Sequence, residues 1–109
     1  MPDRDLLSLW EGVYLLSIWE LKENAYGVTI KKAASLKTGR VISYGGLYFM
    51  LAQLVKKGYV EKNAGEPIPR RGGRSRYYYA LTGKGKRALR TSFEFQKSLW
   101  RDIKEPVFD

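Results

Sequence analysis

At 109 residues, with 44% hydrophobic and 14% aromatic side chains, the chain holds enough apolar material for one packed domain and too much for disorder. It has no cysteine and no histidine, which excludes disulfides and thiolate chemistry and removes the commonest general base and metal ligand. The net charge of +9 lies wholly between residues 21 and 90, with slightly acidic ends, a distribution suited to polyanions and equally compatible with a solvated basic surface.

Asp3 and Asp5 stand where a secretory signal carries positive charge, and Glu11 interrupts the first apolar stretch. The uncharged run at residues 12–19 is far short of the about 20 apolar residues that span a bilayer. A cytoplasmic location and no membrane partner are therefore expected. The first helix is predicted over 5–22. Leu6, Leu9, Val13 and Leu16 form one stripe, with Leu7, Trp10, Tyr14, Ile18 and Leu21 beside it. Two stripes are more than one core surface needs, so a second contact with another subunit is expected.

Val28, Ile30, Ala33, Ala34 and Leu36 mark a short second helix that stops near Thr38-Gly39. Lys31, Lys32, Lys37 and Arg40 accompany it as candidate phosphate contacts. Ser43 is a good N-cap for a third helix, with Leu47, Leu51, Leu54 and Val55 inward, ending at Lys56-Lys57-Gly58. Gly45, Phe49, Ala52 and Lys56 then face outward, flanked by Tyr48 and Gln53. The pair Gly45-Gly46 costs about 1 kcal/mol per residue against alanine, and close approach to a nucleic acid would explain it. The alternative is that Tyr44-Gly45-Gly46 is a turn before a later helix start. For Phe49, contact with a thymine methyl and simple cover for a core residue are both open.

Strand-like segments follow at residues 59–63 and 76–81, separated by a loop dense in Gly, Pro and Arg. Arg70, Arg71, Arg74 and Arg76 belong to this loop and its exit, where they would reach phosphates or a narrow minor groove. Thr82 caps a long last helix bearing Leu89, Phe93, Trp100 and Ile103, with Phe95 and Leu99 flanking and Pro106 closing it. Lys84 and Lys86 oppose its dipole, a conflict that a nearby phosphate would ease, as solvent screening would too.

The order helix, helix, helix, strand, basic loop, strand, helix reads as an α+β, mostly α, winged helix-turn-helix. One domain spans 1–109: the first helix, the helix-turn-helix with its wing over 26–81, and a last helix over 82–105. In such a fold the second helix of the pair enters the major groove of double-stranded DNA. The candidate DNA-binding residues are Lys31, Lys32, Arg40, Ser43, Tyr44, Gly45, Gly46, Tyr48, Phe49, Gln53, Arg70, Arg71, Arg74 and Arg76. An RNA-binding winged domain is the alternative, with Tyr77, Tyr78 and Tyr79 stacking on bases, although alternation sends at least one inward. The acidic residues are scattered, so no catalytic residues, metal ligands or cofactor are expected.

Several segments resemble the PadR-type transcriptional regulators: Ala25-Tyr26-Gly27-Val28-Thr29-Ile30, Ser43-Tyr44-Gly45-Gly46-Leu47-Tyr48, Leu51-Ala52-Gln53-Leu54, and Lys57-Gly58-Tyr59-Val60. The wing at residues 72–78, then Leu81-Thr82 with Gly85 and Leu89, extends the match in order and spacing. Two positions depart from the family pattern: Gly46 replaces its usual Thr, and Phe49 its usual Pro. The resemblance implies a homodimer held by the first and last dimerisation helices, and repression relieved in some members by a small aromatic effector. Trp10, Tyr14 and Trp100 are the candidate lining for such a ligand, or else plain dimer core. The single last helix is similar to the shorter subgroup.

Overall fold

The computed structural model describes residues 6–67 and 75–103. Helix α1 (Leu9–Leu21) opens with a reciprocal cap: Ser8 Oγ accepts from the Glu11 amide at 3.1 Å, and Glu11 Oε1 accepts from the Ser8 amide at 2.8 Å. A short 3₁₀ turn, Lys22–Asn24, leads out of it. The buried side of α1 comprises Glu11, Tyr14, Leu15, Ser17 and Ile18. Leu15, outside both stripes read from the sequence, is fully buried, whereas Leu6, Leu9, Trp10, Leu16 and Trp19 are exposed. A helix that is apolar on every side gives no periodic signal for its core face; tertiary packing chooses it.

Helix α2 (Gly27–Thr38) starts where Thr29 Oγ1 accepts from the Tyr26 amide and donates to the Asn24 carbonyl. It buries Gly27, Ile30 and Ala34 and ends on Gly39, whose φ of 69° is the left-handed conformation that glycine adopts without a Cβ clash. Ile42 tucks under the connection, and α3 (Tyr44–Lys56) begins directly after Ser43, whose Oγ accepts the Gly46 amide at 3.0 Å. The two glycines are therefore inside the helix and not in a preceding turn. Leu47, Leu51 and Leu54 form the inward stripe. Val55, expected inward, is exposed, because one further residue turns it about 100° away from Leu54.

Strands β1 (Val60–Pro67) and β2 (Ser75–Leu81) pair antiparallel, with Val60 opposite Leu81 and Lys62 opposite Tyr79. β1 runs past Asn63 into the segment read as loop, since pairing with β2 continues through Ala64 and, after an irregularity, to Pro67. A bridge from Tyr26 to Tyr78, with the Tyr79 amide donating to the Ala25 carbonyl at 2.8 Å, attaches the start of α2 to the edge of the wing.

Helix α4 (Gly83–Arg101) is capped by Thr82, whose Oγ accepts from Gly85 N at 3.0 Å and donates to the Gly58 carbonyl at 2.6 Å. Only Gly85 and Ala88 of this helix are buried, and Phe93, Phe95, Leu99 and Trp100 are exposed. The radius of gyration, 16.2 Å, exceeds the about 13 Å of a compact chain of this length, as expected if α4 projects from the body. The core joins Tyr14, Leu15 and Ile18 to Ile30, Ala34, Leu47, Leu51 and Leu54, and to Val60, Tyr79 and Leu81 below the wing. The molecule is α+β and mostly helical, a helix-turn-helix followed by a two-stranded wing. Among the described residues, no helix is long and apolar enough to cross a membrane.

Candidate nucleic-acid interface

The stripe that buries Leu47, Leu51 and Leu54 leaves the opposite side of α3 in solvent. Gly45, Phe49, Ala52 and Lys56 lie along its middle, as the 3.6-residue repeat requires, and all four are exposed. Phe49 is 64% exposed. Tyr44 and Tyr48 flank this line toward α2, their rings stacked at 6.3 Å and 19°. Lys31 Nζ sits 5.0 Å over the Tyr44 ring, so one cation of α2 is held beside the first turn of α3. The Tyr48 hydroxyl occupies the space where a side chain on Gly27 would begin: a Cβ there would lie 2.1 Å from Oη. Gln53, half-buried, flanks the other side.

Lys32 and Arg40 are exposed, and the Arg40 amide donates to Thr38 Oγ1 at 3.2 Å. Lys37 takes a different part from the one expected: its ammonium pairs with Glu20 of α1, so it fastens α2 to α1. Lys84 and Lys86 also find partners within the chain. Lys84 donates to the Lys57 carbonyl at 3.0 Å, and Lys86 lies 5.7 Å over the Trp19 ring.

Arg70, Arg71 and Arg74 lie outside the described residues. Arg76 is seated by two tyrosines: its guanidinium is 4.0 Å over the Tyr26 ring, and Nη1 donates to the Tyr78 hydroxyl at 3.5 Å. Tyr26 and Tyr78 meet edge to face at 5.5 Å. This cluster escaped the sequence reading because its members come from the start of α2 and from β2. The signal available was only the aromatic before Gly27. If Arg76 contacts a phosphate, Arg76→Ala will weaken duplex binding evenly across sequences and flatten the logarithmic salt dependence by about one unit. Anisotropy titrations over a salt series measure this, and an unchanged slope removes Arg76 from the interface.

Of the candidate ligand-lining side chains, Trp10 and Tyr14 stand together, with ring centroids 6.4 Å apart. Tyr14 is only 2% exposed, and burial raises the pKa of its hydroxyl, so within one chain it is a core residue. Trp100 is exposed on α4, with its indole N–H donating to Gln96 Oε1 at 3.1 Å. Among the described residues, no cluster of acidic side chains could hold a metal ion.

The arrangement recurs in solved structures. RosR of H. salinarum is 28% identical, with a TM-score of 0.69 over 90% of this chain and 81% of its own. A PadR family transcription regulator from Clostridium difficile is 27% identical, with a TM-score of 0.59 over 84% and 88%. A transcriptional regulator from Clostridium thermocellum is 26% identical, with a TM-score of 0.63 over 87% and 92%. No curated protein gives a significant match. The model of the transcriptional regulator PadR-like family matches residues 15–91, and the chain belongs to that family.

Proposed function

We propose that the chain is a sequence-specific, double-stranded DNA-binding repressor that acts as a homodimer. The observation that carries the reading is the outward side of α3, open from Gly45 to Lys56, with Lys31 of α2 held over Tyr44 in its first turn and Lys32 and Arg40 exposed on α2 and just after it. An α-helix fits the major groove, and flanking cations meet the phosphates on either side. Exposed apolar side chains on α1 (Leu9, Trp10, Leu16) and α4 (Phe93, Leu99, Trp100) support a second copy as their cover. A small aromatic effector seated beside Trp10 and Trp100 between the copies would relieve repression.

The RNA-binding alternative loses support from the wing. Tyr79 is core and Tyr78 is engaged with Tyr26, which leaves Tyr77, under Lys62 at 4.4 Å, as the one exposed ring of the three. Stacking along a single strand needs several such rings.

Anisotropy binding to random duplexes, to the DNA upstream of the protein's own gene and to the matching single strands tests the reading, with sedimentation to give the stoichiometry. A selective, steeply salt-dependent duplex complex of two chains is the expected result. Equal or tighter binding to single-stranded RNA would sink it.

A further inference from the structure

The exposed arc of α3 is chemically one-sided. Between Tyr44 and Val55 it carries no charged side chain; Lys56, in the last turn, is the first. Ser43 has committed its oxygen to the Gly46 amide. Tyr44 is stacked on Tyr48 under Lys31, and the Tyr48 hydroxyl is directed at the Gly27 backbone. The middle of the arc is therefore Gly45, Phe49 and Ala52, a surface of C–H groups with no side-chain donor or acceptor.

Bases differ in what they offer such a surface. Guanine is read in the major groove through O6 and N7, usually by Arg or Lys, and cytosine through its N4 amine by a carboxylate. Neither side-chain type stands on the first three turns of α3. Thymine alone presents an apolar group there, its 5-methyl. Gln53, at the edge of the arc, has the amide that pairs with adenine N6 and N7, the other half of the same base pair. Gly45, one turn before Phe49, adds no side chain beside the ring, which is 64% exposed.

We infer that α3 selects A·T pairs by packing the exposed Phe49 ring, with Ala52 beside it, against the 5-methyl groups of thymine. The inference rests on the proposed placement of α3 in the major groove and names what it reads there. Phe49 is then a specificity-determining residue.

The test selects duplexes from a random pool with the intact chain, then replaces each thymine of the selected half-site by uracil, which lacks only the methyl. One or two positions per half-site are expected to lose about fourfold in affinity, the worth of one buried methyl-sized group. Phe49→Ala binds the thymine and uracil duplexes alike, and Phe49→Leu keeps part of the discrimination. Because the ring is exposed, both variants fold as the parent does, checked by their thermal midpoints. Selective binding in which every uracil substitution is silent, or in which Phe49→Ala keeps the full uracil penalty, overturns the inference alone. Selection of no duplex overturns the proposed function and this inference with it.

Discussion

Gly85→Ala is expected to destabilise the fold by about 2–4 kcal/mol, although alanine is the better helix former by about 1 kcal/mol. Gly85 lies in the first turn of α4, against the carbonyl that closes the turn after α3. A Cβ at this position would fall 2.1 Å from the Tyr59 carbonyl oxygen and 2.9 Å from its carbon. Both are backbone atoms, and the oxygen already accepts the Thr82 amide at 3.0 Å. Neither can swing aside, so relief requires α4 to lift away. Lifting it strains the Thr82 bond to the Gly58 carbonyl and the Lys84 bond to the Lys57 carbonyl. The loss is read as a lower urea midpoint with an unchanged slope, at one protein concentration because the proposed dimerisation would add to stability. Gly83→Ala is the control: its Cβ would meet only the tip of Arg87, at 3.4 Å, and its effect stays within about 0.5 kcal/mol. A Gly85→Ala protein as stable as the parent would show that α4 does not seat on Tyr59.

Gly85 also shows what a single sequence can and cannot convey. Three helix ends were legible because their chemistry is local: Ser43 and Thr82 cap the helices that follow them, and Gly39 ends the one before it. Two were not: α1 starts at Leu9 behind Ser8, later than the expected 5–22, and α4 ends at Arg101, short of the expected 105. The inward stripe of α3 was legible for Leu47, Leu51 and Leu54 because the three leucines recur at helical spacing, even though the apolar Phe49 and Met50 lie between them. On α1, apolar residues on every side erased that contrast, and Leu15 could not be told from Leu16. The candidate interface was legible as residue types in order, from Lys31 to Gln53. Its organisation was not, since the Tyr48–Gly27 contact and the seating of Arg76 on Tyr26 and Tyr78 join separate elements. Lys37 and Lys84 read as free cations for the same reason, because Glu20 and the Lys57 carbonyl are brought to them only by the fold.

Glu11 presents the same difficulty in its sharpest form, as a charge interrupting an apolar run that becomes a buried junction. It is 8% exposed, and its two oxygens are divided between the Ser8 amide and the Lys57 ammonium. Lys57 is the C-cap of α3, so this carboxylate ties the first turn of α1 to the end of the helix proposed to read DNA. Burial alone would raise the Glu11 pKa, but the bonds from Lys57 and Ser8 outweigh it and hold the group below its ordinary 4.5. A carboxylate depressed in the folded state stabilises the fold above its unfolded pKa. That contribution is lost as the pH falls from about 4.5 through the lower folded value.

Glu11→Ala removes the cap and the pair together and is expected to cost about 2–3 kcal/mol at neutral pH. Glu11→Gln retains a cap of the same shape and loses less, while the acid limb of its stability curve flattens. Lys57→Met is expected to cost about 1–2 kcal/mol, less than Glu11→Ala, because the ammonium is half in water and the cap survives. Urea titrations of the three variants from pH 3 to 7 measure both the ordering and the slope. An acid limb unchanged in Glu11→Gln would assign it to other carboxylates. Equal losses for Glu11→Ala and Lys57→Met would mean that the ion pair, not the cap, carries the junction.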